Sequence, residues 1–77
     1  MIRITEKDIY INTSFITLQS ALKFAGVSIT GGEAKVIVEN GFVMINGAVC
    51  TMRGKKLYEN DVIEVKNIGF VRIRKEK

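Results

Sequence analysis

The sequence predicts a small α+β domain in which two short packed helices precede a small antiparallel sheet of three to five strands. Apolar residues first recur with the spacing of a helix and then alternate with the period of a strand. An Asn-Gly dipeptide at residues 46–47 is the pair that a type I′ hairpin turn prefers. The 77 residues are 47% hydrophobic and 26% charged. This is a globular mixture, and its length fits one domain with a thin core.

The first elements are an N-terminal arm and a short helix. Residues 1–14 combine balanced charges with alternating isoleucines, which predicts a strand-like arm of one or two short strands. Thr17 is then predicted to be the N-cap of a helix over residues 18–25, and Gly26 ends it. Its apolar face is formed by Leu18, Ala21, Leu22 and Ala25.

A second helix is predicted to begin at Thr30, which forms a capping box with Glu33. Apolar residues at 34, 37 and 38 give this helix one apolar face, and Asn40-Gly41 supplies a helix stop. The link over residues 27–29 is so short that the two helices are expected to share one core.

Strands follow the helices. Residues 42–45 alternate and lead into the Asn46-Gly47 turn; further strands are expected over residues 48–51, 62–65 and 70–74. In the last strand, Val71 and Ile73 are expected to face inward while Arg72 and Arg74 face water. The aromatic residues Phe15, Phe42 and Tyr58 are expected to pack in the core, with stacking on bases as the alternative. Cys50 is expected to lie in a strand and to pack in the core.

The residue types present argue against catalysis and against a cofactor. The chain has no histidine and one cysteine, which excludes an internal disulfide and a Cys/His metal site. No cofactor is expected. Since Glu59, Asp61 and Glu64 fit a turn and a solvent face better than a convergent acid pair, the chain is not expected to be an enzyme. The absence of a long apolar run or a signal-peptide pattern predicts a cytoplasmic protein without a membrane span.

Charge is distributed unevenly along the chain. Twelve Lys and Arg residues oppose eight Asp and Glu residues, for a net charge of +4. Basic residues dominate segments 15–56 and 66–77, whereas segment 57–65 is purely acidic. This pattern predicts a two-sided molecule whose basic surface suits a phosphate backbone. On charge alone, lysines that merely solvate the surface explain the pattern equally well.

Taken together and in order, three motifs resemble the S-four-type RNA-binding domain. They are a Ser/Thr-led helix containing Ala34 and Lys35, the run Asn-Gly-Phe-Val-Met-Ile-Asn-Gly over residues 40–47, and Asp-Val-Ile-Glu-Val over residues 61–65. The Arg-Gly-Lys-Lys-Leu run over residues 53–57 is similar to that of small stand-alone bacterial members. The signature covers about half of the chain and implies the alpha-L fold, with a core motif over residues 17–65, the arm before it, and a last strand and basic tail over 66–77.

The resemblance implies that the two helices and the adjoining loop bind structured RNA by shape and phosphate contacts. Ribosomal RNA is the expected partner, in assembly, maturation or quality control of the ribosomal subunit, with transfer RNA as the alternative. The protein is expected to act as a monomer. The rival functions are a protein-interaction module for an acidic partner and a nucleic-acid accessory that acts on DNA.

The candidate RNA-binding residues are Lys35, Arg53, Lys55, Lys56, Lys23, Gly31, Gly32, Arg72 and Arg74. Gly31 departs from the family, which often has an arginine after the capping residue. Gly31 and Gly32 can offer backbone N–H groups to a phosphate at the helix N-terminus, although a plain helix-entry turn explains the pair equally well. The first helix likewise begins Thr17-Leu18-Gln19 where the family often has Arg-Leu-Asp.

Overall fold

Two helices and seven strands make up the part of the chain that the computed structural model describes, residues 6–27 and 31–76. The helices are α1 (Leu18–Phe24) and α2 (Gly31–Glu39). The strands are β1 (Glu6–Ile11), β2 (Ile16–Thr17), β3 (Val43–Ile45), β4 (Ala48–Val49), β5 (Lys56–Leu57), β6 (Val62–Val65) and β7 (Gly69–Lys75). The α+β prediction is confirmed.

Helix α1 begins where predicted, but its cap differs from the prediction. Thr17 occupies the N-cap position with extended backbone angles and makes no side-chain cap hydrogen bond. Its hydroxyl donates instead to Ser20 Oγ at 2.9 Å. Helix α1 ends at Phe24, with Ala25 as C-cap, and Gly26 follows at a φ of +78°. Gly26 therefore ends the helix as predicted, because it takes the left-handed conformation at little cost.

Helix α2 buries the predicted apolar face and stops at the predicted glycine. Ala34, Ile37 and Val38 are buried. Gly41 has a φ of +78°, and its N–H donates to the carbonyl of Val38 at 3.1 Å. The predicted capping box cannot be assessed, since Thr30 lies outside the described residues.

The main sheet has the strand order β1-β7-β6-β3-β4. Strands β3 and β4 form the predicted hairpin, whose turn residues Asn46 and Gly47 have φ angles of 51° and 90°. Strand β3 pairs with β6, and β6 with β7, in antiparallel register.

The prediction of a purely antiparallel sheet is wrong, because β1 pairs with β7 in parallel register. The arm and the last strand are separated by nearly the whole chain, so no hairpin dictates their relative direction. Alternation along a strand also looks the same in either direction. The short ribbon of β2 and β5 was not predicted either, since two residues carry no periodic signal.

The core lies between the helices and one face of the main sheet. Alternate strand residues are buried together with the inner faces of α1 and α2 in one cluster, which confirms that the helices share a core. The largest fully buried side chains are those of Leu18, Leu22, Val38, Val43, Leu57, Ile63, Val71 and Ile73. Phe70 and Arg72, which alternate with the buried residues of β7, are exposed, so within the described residues this second face of the sheet is open.

Candidate nucleic-acid interface

The basic loop, residues 52–56, is held against the first turn of α1. The carbonyl oxygens of Arg53 and Lys55 accept hydrogen bonds from the backbone N–H groups of Gln19 (3.0 Å) and Leu18 (2.9 Å). The first N–H groups of a helix have no partner within it, so the loop carbonyls take the place of a side-chain cap. The N–H of Lys55 also donates to the Met52 carbonyl at 3.1 Å, which closes the loop as a β-turn.

The end of the basic loop is fixed by the β2–β5 ribbon. Lys56 lies opposite Thr17, and Leu57 lies opposite Ile16. Leu57 is fully buried, which anchors the ribbon in the core. The side chains of Arg53, Lys55 and Lys56 are all exposed. The structure therefore brings these three predicted cations together at the start of α1.

Lys23 is exposed in the last turn of α1. It stands four residues after Gln19, the residue whose N–H donates to Arg53. Residues four apart share one helix face and are about 6 Å apart along the axis. The exposed surface of α1 therefore continues from the basic loop towards Lys23.

Lys35, Gly31 and Gly32 belong to α2, which packs against α1. Lys35 is exposed next to the buried Ala34, so its ammonium group is directed to solvent. Gly31 is the first residue of α2 and Gly32 the second. Both stand in the first turn, where backbone N–H groups lack partners within the helix.

The predicted cations are available to a ligand. Within residues 6–27 and 31–76, no ion pair or side-chain hydrogen bond engages Lys35, Arg53 or Lys55. Lys56 is different, because its Nζ lies 4.9 Å from the centroid of the Phe15 ring. Such a cation–π contact steadies an exposed ammonium group without neutralising its charge.

Arg72 and Arg74 are not brought together with these cations. They alternate in β7 with the fully buried Val71 and Ile73, so they point to the open face of the sheet, opposite the helices. Arg72 there lies across from Asp8 in the parallel register with β1. A ligand bound to the exposed sides of α1 and α2 therefore does not contact Arg72 and Arg74 on the open face of the sheet.

The predicted core position of the aromatic residues is wrong. Phe15, Phe42 and Tyr58 are exposed by 36%, 43% and 51%. Aliphatic side chains fill the core. Phe42 directly precedes the buried Val43, and Tyr58 directly follows the buried Leu57; because successive side chains in an extended segment point to opposite faces, both aromatic rings point outward. Cys50 is partly buried against the core, as expected, but it follows β4 rather than lying in a strand.

Two further features were missed by sequence reasoning. Phe15 and Tyr58 form an aromatic pair, with ring centroids 6.4 Å apart and an interplanar angle of 54°. Lys66 places its Nζ 5.9 Å from the centroid of Phe42. Both contacts join residues far apart in the chain, and no local pattern indicates them.

The acidic turn has a structural role. The carboxylate of Asp61 accepts hydrogen bonds from Asn46 Nδ2 (3.1 Å) and from the N–H of Tyr58 (2.8 Å). Asn46 Oδ1 in turn accepts from the N–H of Val62 at 3.0 Å. This network ties the β3–β4 turn to the turn that precedes β6.

Neither a metal centre nor a membrane span is found in the described part of the chain. Among residues 6–27 and 31–76, no three His, Cys, Asp or Glu side chains are grouped so that they could hold a metal ion. The helices within these ranges are also too short and too polar to cross a membrane.

Comparison with known proteins places the chain in a family. A model of the S4 domain matches residues 9–74. The chain belongs to the S4 domain family. The protein described as "Probable ribosome maturation protein RlbA" of Bacillus subtilis (strain 168) is 38% identical over 65 residues, which span 84% of this chain and 92% of that relative. The resemblance drawn from three motifs is thus confirmed, and the matched region, residues 9–74, includes the second half of β1 and most of β7.

Proposed function

We propose that this S4 domain protein is a non-catalytic RNA-binding protein that docks on structured ribosomal RNA during ribosome maturation. Two observations support the proposal. One is the S4 domain match together with a relative described as a probable ribosome maturation protein. The other is the group of exposed cations at the start of α1, Arg53, Lys55 and Lys56, of which Arg53 and Lys55 make no ion pair or side-chain hydrogen bond within residues 6–27 and 31–76. The proposal includes a single domain over residues 1–77 in the alpha-L arrangement, acting as a cytoplasmic monomer.

The proposed docking surface consists of the exposed sides of α1 and α2 and the basic loop. Its cations are Lys23, Lys35, Arg53, Lys55 and Lys56, and the first-turn N–H groups of Gly31 and Gly32 complete it. Lys and Arg side chains contact phosphate oxygens, which position the protein without reading the sequence. Because the major groove of A-form RNA is too narrow for side chains, the protein recognises the shape of the RNA.

Arg72 and Arg74 have a lesser role in this proposal. They lie on the opposite side of the sheet from α1 and α2, so they do not contact the same RNA surface. Their charges still add to the long-range attraction of a polyanion, which ionic strength screens over about 10 Å at 0.1 M salt.

The proposal is tested by direct binding. Purified protein is titrated at low salt with a ribosomal RNA fragment, transfer RNA, duplex DNA and an acidic peptide, and its co-sedimentation with ribosomal subunits is measured. We expect tight, salt-sensitive binding to ribosomal RNA and recovery with a subunit. If RNA affinity is absent at low salt, the proposal is wrong. Preference for the acidic peptide or for DNA would instead support the corresponding rival function.

A further inference from the structure

An open cleft separates the β3–β4 hairpin from the basic loop. It has a volume of about 470 Å³, within the range of sites that hold small organic groups. One wall comes from the hairpin and the following link, and the other from the basic loop and Tyr58. The lining residues that bear on its chemistry are Val49, Met52, Lys55, Lys56, Tyr58 and Asp61.

The cleft combines apolar walls with a cationic rim. Val49, Met52 and Tyr58 are 63%, 67% and 51% exposed, so three neighbouring segments present apolar side-chain surface to the cleft. Lys55 and Lys56 stand at the edge and are exposed. A ligand that fits has a flat, weakly polar part for the walls and an anionic part for the rim.

Tyr58 is held in place from both sides. Its backbone N–H donates to Asp61 Oδ2 at 2.8 Å, and its carbonyl accepts from the N–H of Asp61 at 3.0 Å. The Phe15 ring, which does not line the cleft, contacts Tyr58 from outside with ring centroids 6.4 Å apart. The Asp61 carboxylate is itself engaged by Asn46. The Tyr58 backbone is therefore fixed by Asp61, and its ring packs against Phe15 while about half of the residue's surface stays exposed.

We propose that this cleft binds one unpaired nucleotide of the RNA, with the base against Tyr58 and Met52 and its phosphate at Lys55 and Lys56. Aromatic stacking accepts any base because every base has a π-face. RNA-binding proteins find unpaired bases in loops and bulges, where the bases are splayed out of the helix. The inference rests on the proposed RNA-binding function and adds to it. The preferred RNA is a duplex interrupted by unpaired nucleotides, and these nucleotides lie where the duplex contacts the basic loop.

The test compares two RNA duplexes of the same stem sequence, one fully paired and one with a bulge. Wild-type protein is expected to bind the bulged duplex about fivefold more tightly or better, the range given by stacking on one aromatic side chain. Tyr58→Leu should abolish that preference while leaving affinity for the paired duplex unchanged, and Tyr58→Phe should retain it. Equal binding of both duplexes by the wild type would overturn the cleft proposal but not RNA binding; failure of both duplexes to bind would instead contradict the proposed function.

A second readout leaves Tyr58 unaltered and so does not depend on the folding of a Tyr58 variant. The chain has two tyrosines and no tryptophan, and Tyr10 is 53% exposed on β1, away from the cleft. In a Tyr10→Phe protein, the intrinsic fluorescence therefore comes from Tyr58 alone. Stacking of a base on Tyr58 should quench this fluorescence when the bulged duplex is added, and the paired duplex should quench it much less. Equal or absent quenching at saturating bulged RNA would overturn the proposal.

Discussion

The salt dependence of RNA binding should distinguish the two sides of the fold. The double variant Arg53→Gln/Lys55→Gln removes two exposed charges from the docking surface. The matched variant Arg72→Gln/Arg74→Gln removes two charges from the open face of the sheet. Both lower the net charge from +4 by the same amount, so any difference between them reflects position. Neither pair contributes a side chain to the core.

The expected magnitude follows from counterion release. Each phosphate that a cation neutralises contributes about 0.7 to 0.9 to the slope of log Kobs against log salt concentration. The basic-loop variant should therefore lower the magnitude of that slope by about 1.4 to 1.8. The open-face variant should change it by less than about 0.5, since Arg72 and Arg74 affect only screened, long-range attraction.

The assay is a filter-binding or fluorescence-anisotropy titration with one ribosomal RNA fragment at several salt concentrations. Circular dichroism of each variant confirms that the fold is retained. Equal slope changes in the two variants would refute the idea that RNA contacts one side of the molecule. A larger change in the open-face variant would place the RNA on the sheet instead.

Three further predictions concern stability, each measured by urea unfolding. Gly41→Ala should lower the free energy of unfolding by about 1 kcal/mol, because φ at Gly41 is +78° and the only contact of an added Cβ is an ordinary one with Val49 at 4.0 Å. The control is Gly54→Ala, where a Cβ finds open space; it should change the free energy of unfolding by less than about 0.5 kcal/mol. Equal losses in the two variants would contradict this reasoning. Asn46→Gly keeps positive φ but removes the hydrogen bonds to Asp61 and Val62, and should cost about 1 to 2 kcal/mol. Its control is Asn67→Gly, at another position with positive φ (64°), which should leave the free energy of unfolding nearly unchanged. An equal loss of stability in Asn67→Gly would mean that the backbone change, and not the lost hydrogen bonds, destabilises the Asn46 variant. Ile63→Val, at a fully buried position in β6, should cost about 0.5 to 1.5 kcal/mol, and a neutral result would mean that the core around β6 repacks without a cavity.

Sequence reasoning succeeded where the interactions that form an element are local. Helix α2 and its stop at Gly41 depend on residues within a few positions of one another. The Asn46-Gly47 turn likewise needs only two residues able to take positive φ. Alternation in β7 correctly separated Val71 and Ile73 from the two arginines. Each of these features could be recognised without knowing what lies across the core.

The features that were missed depend on segments distant in the chain. The carbonyls of Arg53 and Lys55 cap α1 from more than thirty positions away, and no local pattern indicates such a partner. The parallel pairing of β1 with β7 depends on which sheet edge remains free after the hairpins form. The exposure of Phe15 and Tyr58 follows from a core already filled by aliphatic residues. Their pairing beside the basic loop, and the cleft next to it, exist only once three separate segments have come together.

For the candidate site, sequence reasoning identified the cations but not their arrangement. The exposure of Lys35 and of the basic loop was predictable from composition and family motif. The separation of Arg72 and Arg74 from them was not drawn from the sequence, because alternation says which way a side chain points relative to its neighbours but not which face the helices cover. That assignment needs the packing of α1 and α2 on the sheet.

The most direct test of the central proposal is ultraviolet crosslinking in cells, followed by sequencing of the bound RNA and mass spectrometry of the crosslinked peptides. We expect ribosomal RNA attached to peptides from α1, α2 and residues 52–58. Recovery of protein partners without RNA would contradict RNA binding as the function. Crosslinks confined to β1 and β7 would contradict the proposed docking surface.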